Sequence, residues 1–233
     1  GGQIGCGEGQ TAAYAENTQI ETYQKEFAKN REAIDNGKLF LMLAMGVIDG
    51  NHECFPRLYE FPVVEKFGGP VHEIRPSLYH LMRGNVYTIQ NKKFFAMGGA
   101  PSHDITDGIL NPERPDYMEE MKQLRAEGRN KFRTYRVDWW EEEIPTTVEC
   151  AYGLEQLQKV DYSVDYIITH DCSSAVCKKL IKDFGMGDEM FNYYLDEIEE
   201  KVRFKHWYFG HYHYYQEIDE KHTLIFQDIL QIE

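Results

Sequence analysis

Residues 39–53 read Leu39-Phe40-Leu41-Met42-Leu43-Ala44-Met45-Gly46-Val47-Ile48-Asp49-Gly50-Asn51-His52-Glu53. An unbroken apolar run that gives way to glycine, amide, imidazole and carboxylate has the form of a buried strand opening into a polar turn. Two later segments repeat that form. Tyr166-Ile167-Ile168 leads into Thr169-His170-Asp171, and Trp207-Tyr208-Phe209 leads into Gly210-His211-Tyr212-His213. Three strand ends of this kind deliver imidazoles and an amide to one rim of a sheet, where α/β folds place ligands. Histidine nitrogen combined with Asn or Asp oxygen is a donor set suited to Mn, Fe, Zn or Ni rather than to Ca or Mg alone. The pattern points to metal-assisted chemistry.

The order GNHE, H, GHxH resembles the calcineurin-like metallophosphoesterases, whose full pattern is D-x-H, GD, GNH[DE], H, GHxH. The stretch from Arg57 to Gly99, with Phe61-Pro62, Gly68-Gly69, Ile74-Arg75-Pro76, His80-Leu81-Met82-Arg83-Gly84 and Met97-Gly98-Gly99, is also similar to a bacterial branch of small phosphoesterases of this kind. The resemblance covers roughly residues 39–233. It implies an α/β fold with a central β-sandwich flanked by helices in four layers. It also implies two divalent transition metal ions, with Asn51, His170 and His211 binding one and His213 the other. His52, oriented by Glu53, would protonate or stabilise the leaving-group oxygen. Arg57 follows GNHE closely enough to reach phosphate through its planar fork.

The pattern departs from the family at its start. D-x-H occurs nowhere, and the sole Gly-Asp dipeptide, Gly187-Asp188, falls too late in the order. In the family those motifs supply two ligands of the first metal and the carboxylate that bridges both, so this chain as it stands is expected to hold as few as one ion. Residues 1–38, an atypical N-terminal part, contain no histidine. Two functional readings follow. The first is a metal-dependent phosphoesterase that hydrolyses phosphate mono- or diesters with metal-activated water. The second is a catalytically degraded domain that binds metal, a phosphate ligand or a protein partner without turnover.

A chain of 233 residues with 42% hydrophobic content can bury one sizeable core, and residues 1–233 read as a single domain. The apolar run Leu39 to Ile48 is shorter than the roughly 20 residues of a membrane helix. No basic-then-apolar leader opens the chain, so a cytoplasmic, membrane-free protein is expected. Five cysteines without C-x-x-C spacing argue for reduced thiols rather than a disulfide framework or a cysteine zinc site. A formal charge of −14 repels a phosphate backbone, which excludes bulk nucleic acid and leaves small phosphate esters or phosphorylated peptides as partners. Oligomeric state is not written in the sequence.

Periodicity predicts a loop over residues 1–17, a helix over Thr18 to Asn36 and a strand over Leu39 to Ile48. A hairpin is expected from Val86 to Met97, then a loop to about Arg114. Helices are expected over Met118 to Gly128, Thr147 to Lys159, Ser173 to Phe184 and Glu189 to Val202. Core strands at Asp165 to Thr169 and His206 to Phe209 precede a closing hairpin of Tyr212 to Ile218 with Thr223 to Leu230. His72, His80, His206 and His222 lack partner motifs and read as structural. His103-Asp104 reads as a solvated turn with an alternative contact to substrate. Asp171 reads as a loop residue or a partner of His170, and Asp49 as a remote substitute for the missing bridging carboxylate. Trp139-Trp140 reads first as an anchor to the core and second as a substrate wall.

Overall fold

The computed structural model describes residues 45–180 and 189–232. The expected N-terminal loop and helix, the first half of the strand at Leu39, the end of the helix at Ser173 and the dipeptide Gly187-Asp188 lie outside the described residues. Within them the chain is a mixed α/β structure. Its elements are, in order, β1 (Met45–Val47), α1 (Phe55–Leu58), β2 (Val63–Lys66), β3 (Gly69–Arg75), β4 (Leu78–Leu81), β5 (Asn85–Ile89), β6 (Lys92–Met97), β7 (Gly108–Leu110) and α2 (Tyr117–Ala126). There follow β8 (Phe132–Thr134), a 3-10 turn (Glu141–Glu143), α3 (Thr147–Lys159), β9 (Tyr166–Thr169), α4 (Ser174–Leu180), α5 (Glu189–Lys201), β10 (His206–Phe209), β11 (Gln216–Asp219) and β12 (His222–Leu224).

The strands form a four-stranded sheet in the order β1-β4-β3-β2, a six-stranded sheet in the order β11-β12-β10-β9-β6-β5, and a small β7-β8 pair. Central strands β6, β9, β10 and β12 of the larger sheet run parallel, and β5 and β11 are antiparallel edges. The local reasons are ordinary ones. Gln90 and Asn91 take positive φ of 50° and 62° at the β5-β6 turn, the conformation that tight hairpins demand. Thr146 and Glu149 close a reciprocal capping box at the start of α3.

The main core lies where α3 and α5 cover the larger sheet. It is built from Phe95, Leu157, Ile167, Leu195, Ile198 and Trp207, all fully buried. Each such side chain contributes about 1.5–3 kcal/mol by leaving water. The two large sheets meet through Val71, Tyr79 and Leu81 of one and Tyr87 and Ala96 of the other. A third cluster joins α1 to Trp140, through Phe55 and Leu58, so the tryptophan is an anchor as expected. No helix among the described residues is long and apolar enough to cross a membrane. Cys150, Cys172 and Cys177 carry free thiols.

Two expectations need correction. The loop after Gly98 contains β7, which pairs in parallel with β8 to carry residues 104–110 back over the sheet rim. Also, the strands that feed the candidate motifs do not share one sheet: β9 and β10 are neighbours in the larger sheet, whereas β1 belongs to the smaller one. Backbone bonds nevertheless stitch their ends together. Gly99 N donates to Asp49 O (3.0 Å), His170 N to Met97 O (3.3 Å) and Gly210 N to His170 O (3.1 Å).

Candidate metal centre

The seam brings the three motifs into one cleft. His170 is half-buried between the two glycine-led turns. A Cβ on Gly50 would come 3.1 Å from the imidazole Cε1 and Nε2, so only glycine lets the Asn51 turn approach the ring this closely. The Asn51 amide is fully used. Its Nδ2 donates to Ser102 Oγ (3.0 Å) and to His52 Nε2 (3.3 Å), and its Oδ1 accepts from His170 Nε2 (3.1 Å). The His211 ring packs edge-on against His170 with centroids 5.1 Å apart. His213 stacks on Phe226 and lies within electrostatic range of His52, His103, His170 and His211.

His211 and His213 have φ of 71° and 59°, the left-handed region, which is uncommon for residues with a Cβ. The expected hairpin strand from Tyr212 therefore starts later, at Gln216: the chain coils after β10, and Tyr212 is directed to Asp171. Backbone strain concentrated on two adjacent functional candidates is the kind that surrounding structure must hold in place.

Residues without a motif complete the cleft. Ser102 is buried and donates through Oγ to Glu143 Oε2 (2.7 Å), while its backbone N–H donates to Glu143 Oε1 (2.7 Å). His103 is exposed in a bend, as the solvated-turn reading has it, and its Nδ1 lies 3.4 Å from His211 Nε2, which adds it to the imidazole cluster. Asp104 Oδ2 stands 3.8 Å from His52 Nε2 and is ion-paired with Arg133 of β8. The sequence offered His103-Asp104 only as a remote alternative and gave no sign of Ser102, Glu143 or Arg133.

Other expected residues fall elsewhere. Glu53 is buried, and Asp104 and Arg133 are charged neighbours of the His52 ring. Arg57 is exposed on α1 and makes no ion pair or side-chain hydrogen bond among the described residues. Asp49 is engaged by His80 and Arg83. Its Oδ1 accepts from His80 Nε2 (2.9 Å), and its Oδ2 from Arg83 Nε (2.8 Å) and Nη2 (2.5 Å). His72 Nδ1 meets His80 Nδ1 at 2.9 Å, with the rings nearly parallel. Burial alone would raise the Asp49 carboxyl, but the Arg83 charge and the His80 hydrogen bond hold it well below the usual carboxylate range. It is a structural anion and no substitute for the bridging carboxylate.

The electrostatics favour neutral imidazoles. Burial pushes His170 down to about 3 and His211 to about 2, the latter reinforced by neighbouring histidines. His52 and His103 are also lowered, chiefly by burial, with Arg133 adding to the effect on His52. Neutral imidazoles are the form that ligates metals. The Asn51 oxygen with the His170 and His211 nitrogens is a mixed O/N set whose chemistry fits one divalent transition metal ion. The described residues bring no carboxylate to the cleft in a position to bridge a second. Among them no three His, Cys, Asp or Glu side chains have metal-holding spacing, so the Asn51 amide is the third donor on which a site would depend.

No protein-family model, curated protein or solved structure matches this chain. The functional reading rests on the motifs and on the cleft they build.

Proposed function

We propose that the chain is a metallophosphoesterase-like hydrolase domain that cleaves small phosphate mono- or diesters, phosphorylated peptides included, by attack of water. The facing of the two large sheets through Val71, Tyr79, Leu81, Tyr87 and Ala96, with α3 and α5 outside, supports reading the fold as the family's central β-sandwich. The observation that carries the function is the meeting of Asn51, His170 and His211 from turns far apart in the chain.

Asn51, His170 and His211 would hold one ion, and His213, exposed and stacked on Phe226, would serve a second. Such an ion supplies Lewis acidity and a water acidic enough to ionise near neutrality. The chain's own groups do the rest. The Asn51 amide can only donate to His52 Nε2, so in the free protein that nitrogen carries the lone pair and the proton sits on Nδ1. Proton uptake at Nε2 would set an imidazolium beside Asp104 and supply the acid for a departing alkoxide. Arg133, paired with Asp104, supplies positive charge on the same side and limits how readily His52 becomes charged.

Hydrolysis of p-nitrophenyl phosphate and of its bis ester, with and without Mn²⁺ or Ni²⁺, tests the proposal. Metal-dependent release of nitrophenol supports it. Metal binding without hydrolysis of either ester supports the second reading, a domain that binds without turnover, which the engagement of Asp49 with Arg83 and His80 favours.

A further inference from the structure

Beneath the histidine turns two thiols converge on one hydroxyl. Tyr212 Oη donates to Asp171 Oδ1 at 2.8 Å, with Cys177 Sγ 3.4 Å away on one side and Cys172 Sγ 3.9 Å away on the other. The two thiols thus share one hydroxyl as neighbour. Cys172 is buried in the turn between β9 and α4, two residues beyond His170, and Cys177 is half-buried on α4. Tyr212 separates His211 from His213, and its ring packs edge-on against His211 with centroids 5.1 Å apart. We propose that Cys172 and Cys177 form a peroxide-responsive dithiol, a modification site whose disulfide alters the turn that carries His211 and His213.

The chemistry balances with a hydroperoxide as oxidant. The Cys177 thiolate attacks a peroxide oxygen, the O–O bond breaks, and the leaving oxygen takes a proton to depart as water or alcohol. Cys177 is then a sulfenic acid. The Cys172 sulfur attacks the sulfenyl sulfur, an S–S bond forms, the S–O bond breaks and water leaves. Two thiols have lost two electrons and two protons to one peroxide. The roles follow from placement. Cys177 is the more accessible, half-buried on α4 with its Sγ 3.4 Å from Tyr212 Oη, and so is placed to meet the peroxide first. Cys172, enclosed and adjacent, is placed to resolve the sulfenic acid. The disulfide removes the Cys172 thiol proton that points to Tyr212 Oη, so the support of the 210–213 turn changes. None of this depends on the cleft binding a metal or turning over a phosphoester.

The test uses the intact chain and hydrogen peroxide, followed by alkylation and tryptic mapping without reductant. Cys172 and Cys177 fall on one tryptic peptide, 160–178, and Cys150 falls on another as an internal control. The expected result is a 160–178 peptide two hydrogens lighter and carrying no alkyl group, formed at least about tenfold faster than any oxidation of Cys150. In Cys172→Ser, dimedone should trap a sulfenic acid on Cys177. Amide hydrogen exchange at 210–213 should rise in the oxidised protein. Alkylation of both cysteines unchanged by peroxide, or oxidation at the rate of Cys150, would overturn the site. A disulfide with unaltered exchange at 210–213 would overturn its coupling to the histidine turn.

Discussion

Asn51 Oδ1 accepts a hydrogen bond from His170 Nε2 at 3.1 Å, joining side chains 119 positions apart. The amide can present its oxygen to His170 because its nitrogen is committed to Ser102 and His52. Ser102 is in turn held through two hydrogen bonds by Glu143, a buried carboxyl that burial pushes up to about 6. The orientation of a candidate ligand is thus set by residues that never touch the ion.

Ser102→Ala should therefore loosen Asn51 without removing a ligand. Supporting hydrogen bonds of this kind are worth about 10- to 100-fold in metal affinity. Titration of Mn²⁺ by calorimetry should show a loss in that range, with the fold intact by circular dichroism. An unchanged affinity would show that Ser102 does not orient the amide.

Gly98→Ala should destabilise the protein by about 3 kcal/mol or more, because the new methyl would press into the Asp49 carboxylate and part it from Arg83 and His80. Asp49→Asn should cost a similar amount by removing the buried carboxylate that pairs with Arg83 and leaving that charge only the more distant, part-exposed Glu149. Urea unfolding measures both. The carboxyl is depressed in the fold, so its contribution is present above its unfolded value near 3.8 and is lost as pH falls through the lower folded value. The deficit of Asp49→Asn should shrink in strong acid.

His222 gives the opposite pH dependence. Burial would lower it, but hydrogen bonds to Glu199 Oε2 (3.1 Å) and Asp219 Oδ1 (2.7 Å) outweigh that and raise it above its ordinary 6.5. Its contribution is complete below about 6.5 and fades as pH rises through the higher folded value. The stability gap between the wild type and His222→Gln, from thermal melts at a series of pH values, should be widest near pH 6 and close on the alkaline side. A gap that grows with pH would contradict the charged pairing.

His52→Ala should slow metal-dependent phosphoester hydrolysis by about 10²- to 10⁴-fold while ion binding persists, since His52 acts on protons and not as a ligand. Steady-state rates with the bis ester, together with metal content, check both halves. A full rate in this variant would remove His52 from the chemistry.

Much of the cleft was legible because its carriers are local. An apolar run ending in Gly-Asn-His-Glu, and another ending in Gly-His-Tyr-His, announce themselves within a few residues, and β9, β10 and α3 fall where periodicity puts them. What escaped notice is non-local. Ser102 reaches Glu143 across 41 positions and His103 reaches His211 across 108, with no spacing rule to signal either. The left-handed backbone at His211 and His213 escaped because the residues from Tyr212 on read as a hairpin strand, and only the Tyr212 contact with Asp171 shows why the chain coils there. The assignment of β1 to the smaller sheet was equally hidden, since an apolar run states burial and not its neighbours.

The most direct test is the metal content of the purified protein and of His211→Ala after equilibration with Mn²⁺ and desalting, read by elemental analysis. At least one ion per wild-type chain is expected, and none retained at this site in the variant, with both proteins folded. Equal ion content in the two proteins, or no ion in the wild type, would contradict the claim that the Asn51, His170 and His211 cleft is a metal centre.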